Sequence, residues 1–141
     1  MLVDKDAIRD LLHLYCFNMD EGRFAELSAL FTPDGEWIAP YRTATGAGDI
    51  TAWLAQWVPA SPKRMHFVMN SVINVTGDLA TAKSNYLVLV EGPDGPQPSV
   101  RGTYADVFAR TAAGWRFRRR ELIDAFKGEM RLNPPASADL G

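Results

Sequence analysis

Apolar residues first recur at helical spacing. Ile8, Leu11, Leu12, Tyr15 and Met19 form one stripe, which predicts an amphipathic helix at the start of the chain. Asp4 stands where an N-cap would be, with Val3 and Ile8 spaced as a hydrophobic staple. Asp20-Glu21-Gly22 ends this helix. A second, short helix turns Phe24, Leu27 and Leu30 or Phe31 inward, and Thr32-Pro33-Asp34-Gly35 stops it and reverses the chain. A short strand over 36–40 follows, then a loop rich in Thr, Ala and Gly. Asp49 caps a third helix that presents Ile50, Trp53, Leu54, Trp57 and Val58 on one face.

Beyond Pro59 and Pro62 the pattern changes to strands over 64–75, 79–90, 100–110 and 115–125. The segments 76–78, 92–98 and 112–114 connect them as hairpin turns. Helices first and a meander afterwards predict an α+β fold, with the N-terminal helices packed in the concave face of a mainly antiparallel sheet. Strands this long twist and coil, so the sheet should curve strongly and form a cone-shaped α+β barrel around a cavity. One domain is expected over 1–130, with a loose polar tail over 131–141.

Composition narrows the function classes. The 141 residues carry 15 Lys plus Arg against 17 Asp plus Glu, a net charge of −2, which disfavours nucleic acid as a partner. Seven Phe, four Tyr and four Trp form an aromatic excess that serves as core or as the wall of an apolar pocket. One cysteine, Cys16, leaves no internal disulfide. Two histidines make a self-contained His/Cys zinc site a poor expectation. The first residues lack the basic and apolar regions of a signal peptide, and no apolar run is long enough to span a bilayer, so no membrane association and a cytoplasmic location are expected.

Two side chains suggest chemistry. Strict alternation on the first long strand puts Met65, Phe67, Met69, Ile73 and Val75 on one face, with Ser71 among them. His66, Val68, Asn70, Val72 and Asn74 fall on the other. That second face is too polar for a closed core and too uncharged for open solvent. It suits either a pocket wall or a half-exposed edge with a satisfied histidine. Asp20 sits at the end of the first helix, where the helix dipole opposes a negative charge and raises basicity. It is equally placed to cap the next helix. Tyr15, on the apolar stripe, needs a partner for its hydroxyl. His13 lies off the stripe and reads as a surface residue. Arg118-Arg119-Arg120 reads as a solvated strand face.

The segment from Tyr15 to Leu27, with Leu30-Phe31-Thr32-Pro33-Asp34-Gly35, Arg64-Met65-His66-Phe67, Gly102-Thr103-Tyr104 and Gly114-Trp115-Arg116-Phe117-Arg118, resembles the nuclear transport factor 2-like superfamily in its SnoaL-like branch. The likeness extends over about residues 4–126. The branch includes scytalone dehydratase, bile acid dehydratase and hexachlorocyclohexane dehydrochlorinase, which use an Asp after the first helix and a His on the first long strand. The resemblance implies a catalytic pair, Asp20 orienting His66 as base, with Tyr15 matching a pocket tyrosine of the bile acid enzyme. Arg120 matches the pocket arginine of the dehydrochlorinase by its spacing from Trp115. Ketosteroid isomerase is also similar, but its general-base aspartate falls at Ala39. The second pocket histidine of scytalone dehydratase has no counterpart.

These readings predict a lyase or isomerase of the dehydratase or cyclase type, without metal or organic cofactor, acting on a hydrophobic, cyclic small molecule. Asp20, His66 and Tyr15 are the expected catalytic residues. Trp37, Trp53, Trp57, Asn70, Tyr104, Phe108 and Arg120 are the expected substrate contacts. Homo-oligomerisation, as a dimer through an exposed apolar sheet face, is expected as well. The alternatives are a ligand-binding protein, or a structural subunit like the small subunit of a ring-hydroxylating dioxygenase. A polyketide cyclase or an epoxide hydrolase is a further alternative, the latter using Asp106 or Asp124 as a second carboxylate.

Overall fold

A computed structural model describes residues 1–58 and 63–127. The expected tail over 131–141 and the prolines at 59 and 62 lie outside the described residues. Helix α1 spans Leu2–Asp20, and its buried stripe is the expected one, extended by Cys16 and Asn18. Its end is a Schellman motif. Gly22 takes φ +70°, Arg23 N–H donates to Asn18 O at 2.8 Å, and Gly22 N–H donates to Met19 O at 3.3 Å. This stop makes Asp20 the last helical residue.

The start differs from expectation. Met1 holds the cap position without a side-chain bond, Asp4 lies inside the first turn, and Val3 is exposed rather than stapled to Ile8. Asp4 is drawn elsewhere, because Arg110 Nη1 at 2.8 Å and Trp115 Nε1 at 3.0 Å donate to its Oδ1.

Helix α2 (Phe24–Ser28) buries Leu27. Strand β1 (Phe31–Ala39) begins earlier than predicted, because Thr32-Pro33-Asp34-Gly35 does not reverse the chain. The four residues form an irregularity within the strand, opposite the next strand in the sheet. Strand β2 (Arg42–Thr45) occupies the expected loop, pairs with β1 and buries Ala44. Helix α3 (Gly46–Trp57) starts before Asp49, whose carboxylate accepts from Thr45 N–H at 3.0 Å and Arg42 Nη2 at 2.6 Å. Asp49 therefore stabilises the helix start from within the first turn.

Strands β3 (Arg64–Thr76), β4 (Leu79–Gly92), β5 (Gly95–Thr111) and β6 (Gly114–Lys127) form the meander. The β4–β5 connection is tighter than the predicted 92–98 loop. Gly92 pairs with Gly95 across two residues, and Gly95 takes φ +117°. The sheet order is β2-β1-β6-β5-β4-β3, with only β1 and β6 parallel. Among the described residues the sheet is open, with β2 and β3 as its edge strands. It curves around the helices as an α+β cone. Among the described residues, no helix is long and apolar enough to cross a membrane.

Two bulges reset which side chains face inward. In β3, one extra residue lies between the Met69–Asn85 and Val72–Lys83 pairs, and Asn70 takes φ +51° there. His66 and Val68 face the helices before the bulge, whereas Ser71, Ile73 and Val75 do so after it. Ser71 Oγ meets the fully buried Ser84 Oγ at 2.8 Å. Strict alternation is thereby corrected, since Val72 is exposed and Ile73 is buried. In β6, Arg118 is the extra residue between the Phe108–Phe117 and Val107–Arg119 pairs. Trp115 and Phe117 face inward before it and Arg120 after it. Met65, Phe67, Met69 and Val72 leave an apolar stretch on the convex face. Beside it lies a depression of ≈520 Å³ lined in part by Val72, Asn74, Lys83, Arg119 and Glu121.

The ties on Asp4 carry a pH signature. Hydrogen bonds from Arg110 and Trp115 hold its carboxyl at about 2, below the ordinary 3.8. A folded value below the unfolded one contributes stability above about pH 4, lost as pH falls toward 2. Thermal melts between pH 5 and pH 2 should show a wild-type advantage over Asp4→Asn that shrinks through this window. Parallel curves for the two proteins would contradict the assignment.

Candidate functional site

The Schellman stop on α1 delivers Asp20 to the free edge of the sheet, beside His66. Along an antiparallel edge strand alternate N–H groups have no partner in the sheet. His66 N–H donates to both Asp20 oxygens, at 3.1 Å to Oδ1 and 2.8 Å to Oδ2. His66 Nδ1 lies 2.5 Å from Asp20 Oδ1. One carboxylate therefore fixes both the strand and the ring. With Nδ1–H donating to the carboxylate, Nε2 keeps a lone pair and can accept a proton. The side chains remain 15% and 11% exposed, so the pair is close to solvent without being bathed in it.

Deeper in the concave face lies a cluster of aromatic rings around one guanidinium. Tyr15 accepts a hydrogen bond from Trp37 Nε1 at 2.8 Å. Burial pushes the Tyr15 hydroxyl up to about 12, although Arg120 and the Trp37 bond pull the other way. The hydroxyl stays protonated at neutral pH and its own hydrogen is free to donate. Arg120 is fully buried, with Cζ 3.7 Å from the Tyr104 ring centre, 4.2 Å from Tyr15 and 4.6 Å from Phe117. Its Nε and Nη2 each donate to Asp106 at 2.8 Å. Burial alone opposes the Arg120 charge, but Asp106 outweighs it and holds the guanidinium above its ordinary range. Phe108 packs on Phe117 at 4.8 Å, closing the cluster.

The expected site residues separate into three groups. Asp20 and His66 meet directly. Tyr15, Trp37, Tyr104, Phe108 and Arg120 are all buried in the aromatic cluster. The remaining three lie elsewhere. Trp53 is partly buried, 6.2 Å from Tyr41 between ring centres, with Arg42 over its ring at 4.4 Å. Trp57 is 60% exposed on the outer side of α3. Asn70 is exposed in the β3 bulge and is not part of the wall that carries His66. His13 is exposed, as expected. Asp106 is occupied by Arg120 and so is not a spare carboxylate, and the side chain of Asp124 lies outside the described ones. Burial pushes the Cys16 thiol up to about 11, which leaves it protonated and inert. Among the described residues no three His, Cys, Asp or Glu are grouped to hold a metal.

One residue of the concave face is absent from the sequence reading. Tyr86 faces inward on β4, stacked on Tyr104 at 4.0 Å with the planes 9° apart. It lies within a run of apolar residues, where its hydroxyl gives no local signal. The glycine opposite it, Gly102, is the feature that could have exposed it.

The SnoaL-like domain profile matches residues 1–121. The chain belongs to the SnoaL-like family. Within that family, it is 32% identical over 133 residues to an uncharacterized protein of Mycobacterium tuberculosis, covering 90% of this chain and 89% of that one. Among solved structures, the SnoaL-like chain is similar to a nuclear transport factor 2-like protein with a cystatin-like fold from Novosphingobium aromaticivorans. The TM-score is 0.81 at 30% identity, over 86% of this chain and 82% of the other. A second protein of Novosphingobium aromaticivorans, provisionally assigned as a scytalone dehydratase, is similar at TM-score 0.77 and 26% identity. That match covers 96% of this chain and 95% of the other.

The interior ion pair of the SnoaL-like domain has no solvent to fall back on. Removing one charge strands the other, at a cost of about 3–5 kcal/mol. Asp106→Asn should lower the unfolding free energy in urea by that amount. A loss below about 1 kcal/mol would mean that the pair is not desolvated as the structure shows.

Proposed function

We propose that this SnoaL-like chain is a cofactor-independent lyase or isomerase that acts on a hydrophobic, cyclic small molecule through an Asp–His general base. The observation that carries the reading is the grip of Asp20 on His66, through the ring nitrogen and the backbone N–H together. Hydrogen bonding only to the ring would orient it. The added backbone bonds fix the carboxylate as well, so the base is built before substrate arrives.

In this reading, His66 Nε2 takes a proton from a carbon next to a carbonyl or to a leaving hydroxyl. The imidazolium that forms lies against the Asp20 carboxylate, which stabilises the charge. Tyr15 O–H donates to the oxygen that gains charge or departs, with Trp37 holding its oxygen in place. Val68, Val88 and the aromatic cluster supply apolar walls beside His66. The resemblance to a protein assigned as a scytalone dehydratase supports dehydration as one form of this chemistry.

Proton removal can be followed without knowing the natural leaving group. Cyclic ketones and β-hydroxyketones incubated in deuterium oxide should exchange their acidic C–H faster with the wild-type protein than in buffer. General-base catalysis contributes about 10²–10⁴-fold, so His66→Ala and Asp20→Asn should lose most of that rate while retaining cooperative melting. Exchange by both variants at the wild-type rate, or a wild-type rate equal to that of buffer, would rule out the mechanism.

A further inference from the structure

Tyr86 presents a buried hydroxyl that the fold does not use. Its side chain is 4% exposed, and its oxygen has no hydrogen-bond partner among the described residues. A buried hydroxyl without a partner is costly, and native structures rarely keep one without a reason. Phenylalanine would pack the same ring without that cost.

The surroundings hold this ring in one orientation. Tyr86 pairs with Gly102 across β4 and β5. A Cβ at Gly102 would come within 2.8–2.9 Å of the Tyr86 ring carbons and hydroxyl, so the absent side chain is the space in which the ring lies. Tyr104 stacks on Tyr86 with nearly parallel planes, and Arg120 packs against Tyr104 in turn. The stack fixes where the hydroxyl points. Burial, with Tyr15 and Tyr41 nearby, moves its ionisation well above the ordinary range, so it remains a donor at any physiological pH.

The register places Tyr86 on the same concave face as His66, with its hydroxyl leaning over Gly102 on β5. His66 faces Val88 on β4, and Tyr86 is two residues from Val88 on the same concave face. Diagonal neighbours of this kind are about 7–8 Å apart at the backbone, and because the hydroxyl leans over β5, a ligand that meets both groups reaches across two strand spacings, ~10 Å. We propose that Tyr86 is a substrate-binding residue that donates a hydrogen bond to a neutral oxygen, a carbonyl or an alcohol, on a ring compound held against His66. Arg120 is already neutralised by Asp106, so this part of the cone offers a directed donor without net positive charge. A carboxylate entering there would lose its hydration without a counter-charge.

The inference rests on the concave face being the substrate site. It is tested by binding rather than turnover, so the two can fail separately. The ring ketone indanone and its parent hydrocarbon indane serve as probes, titrated by NMR against the wild-type protein and Tyr86→Phe. The affinity ratio of ketone to hydrocarbon should fall by about 3- to 10-fold in Tyr86→Phe, the range for one neutral hydrogen bond. Its melting temperature should match or exceed that of wild type, because no existing bond is lost. An unchanged ratio overturns the inference, as does failure of the wild-type protein to bind indanone. A clearly lower melting temperature also overturns it, since the hydroxyl would then already have a partner. Loss of the ratio while His66→Ala still exchanges protons at the wild-type rate would keep Tyr86 as a ligand contact and discard the general-base reading. An unchanged ratio with exchange abolished in His66→Ala would do the reverse.

Discussion

Helix α1 is held across the sheet by a carboxylate near each end, and the rest of the molecule is arranged around that attachment. Asp4 takes donors from Arg110 and Trp115 at the β5–β6 end, and Asp20 takes three contacts from His66 at the β3 edge. Between them the apolar stripe of α1 lies on the concave face. The two ends are electrostatically unequal. A negative charge in the first turn agrees with the helix dipole, whereas one at the last residue opposes it. At that spot the edge strand supplies Asp20 with donors. The sheet gains from the same contact, since a backbone N–H that would otherwise have only water is satisfied.

The attachment also explains why the interior can hold a charge. With α1 fixed along the sheet, Tyr15 is brought against Arg120 and Trp37 rather than against aliphatic side chains. A buried guanidinium needs its hydrogen bonds met and its charge countered. Asp106 counters the charge and takes Nε and Nη2 in a two-pronged pairing, Nη1 has no hydrogen-bond partner among the described residues, and the rings of Tyr15, Tyr104 and Phe117 add their electron-rich faces. The rigid stack of Tyr86 on Tyr104 follows from this arrangement, because Tyr104 is held in place by the arginine as well as by the sheet.

Much of the fold was legible because it rests on local periodicity. The stripe of α1, its stop at Gly22 and the four long strands follow from spacing and turn residues alone. Asp20 and His66 were legible for a related reason, since a carboxylate at a helix end and a histidine on an oddly mixed strand face are both locally unusual. Side chains whose direction depends on a bulge were not legible from alternation, although the family resemblance singled out Arg120. Asn70 and Arg120 follow opposite courses: alternation put Asn70 on the wall with His66, and an extra residue at that point turns it out. Arg120 belongs to a run of three arginines, and the extra residue at Arg118 brings it into the core. A bulge is specified by the pairing of two strands, so neither strand announces it alone. Asp4 was misread for a similar reason. A cap is a local matter, whereas Arg110 and Trp115 arrive from more than a hundred residues away.

The placement of the site follows from where the fold's own hydrogen bonding is incomplete. Inside the meander nearly every backbone group faces a partner strand, and the cone's charges are matched to one another. Two places on the concave face fall outside that matching. The edge of β3 gives Asp20 a backbone donor and, beside it, the Nδ1 of the same residue's ring. The gap opposite Gly102 admits a tyrosine whose hydroxyl has no hydrogen-bond partner among the described residues. Both features lie on one concave surface, and both owe their geometry to rigid neighbours rather than to a mobile loop. A ligand bound on that surface would complete hydrogen bonds that the protein leaves open. Its polar atoms would then be selected by position, while the apolar walls select only for bulk.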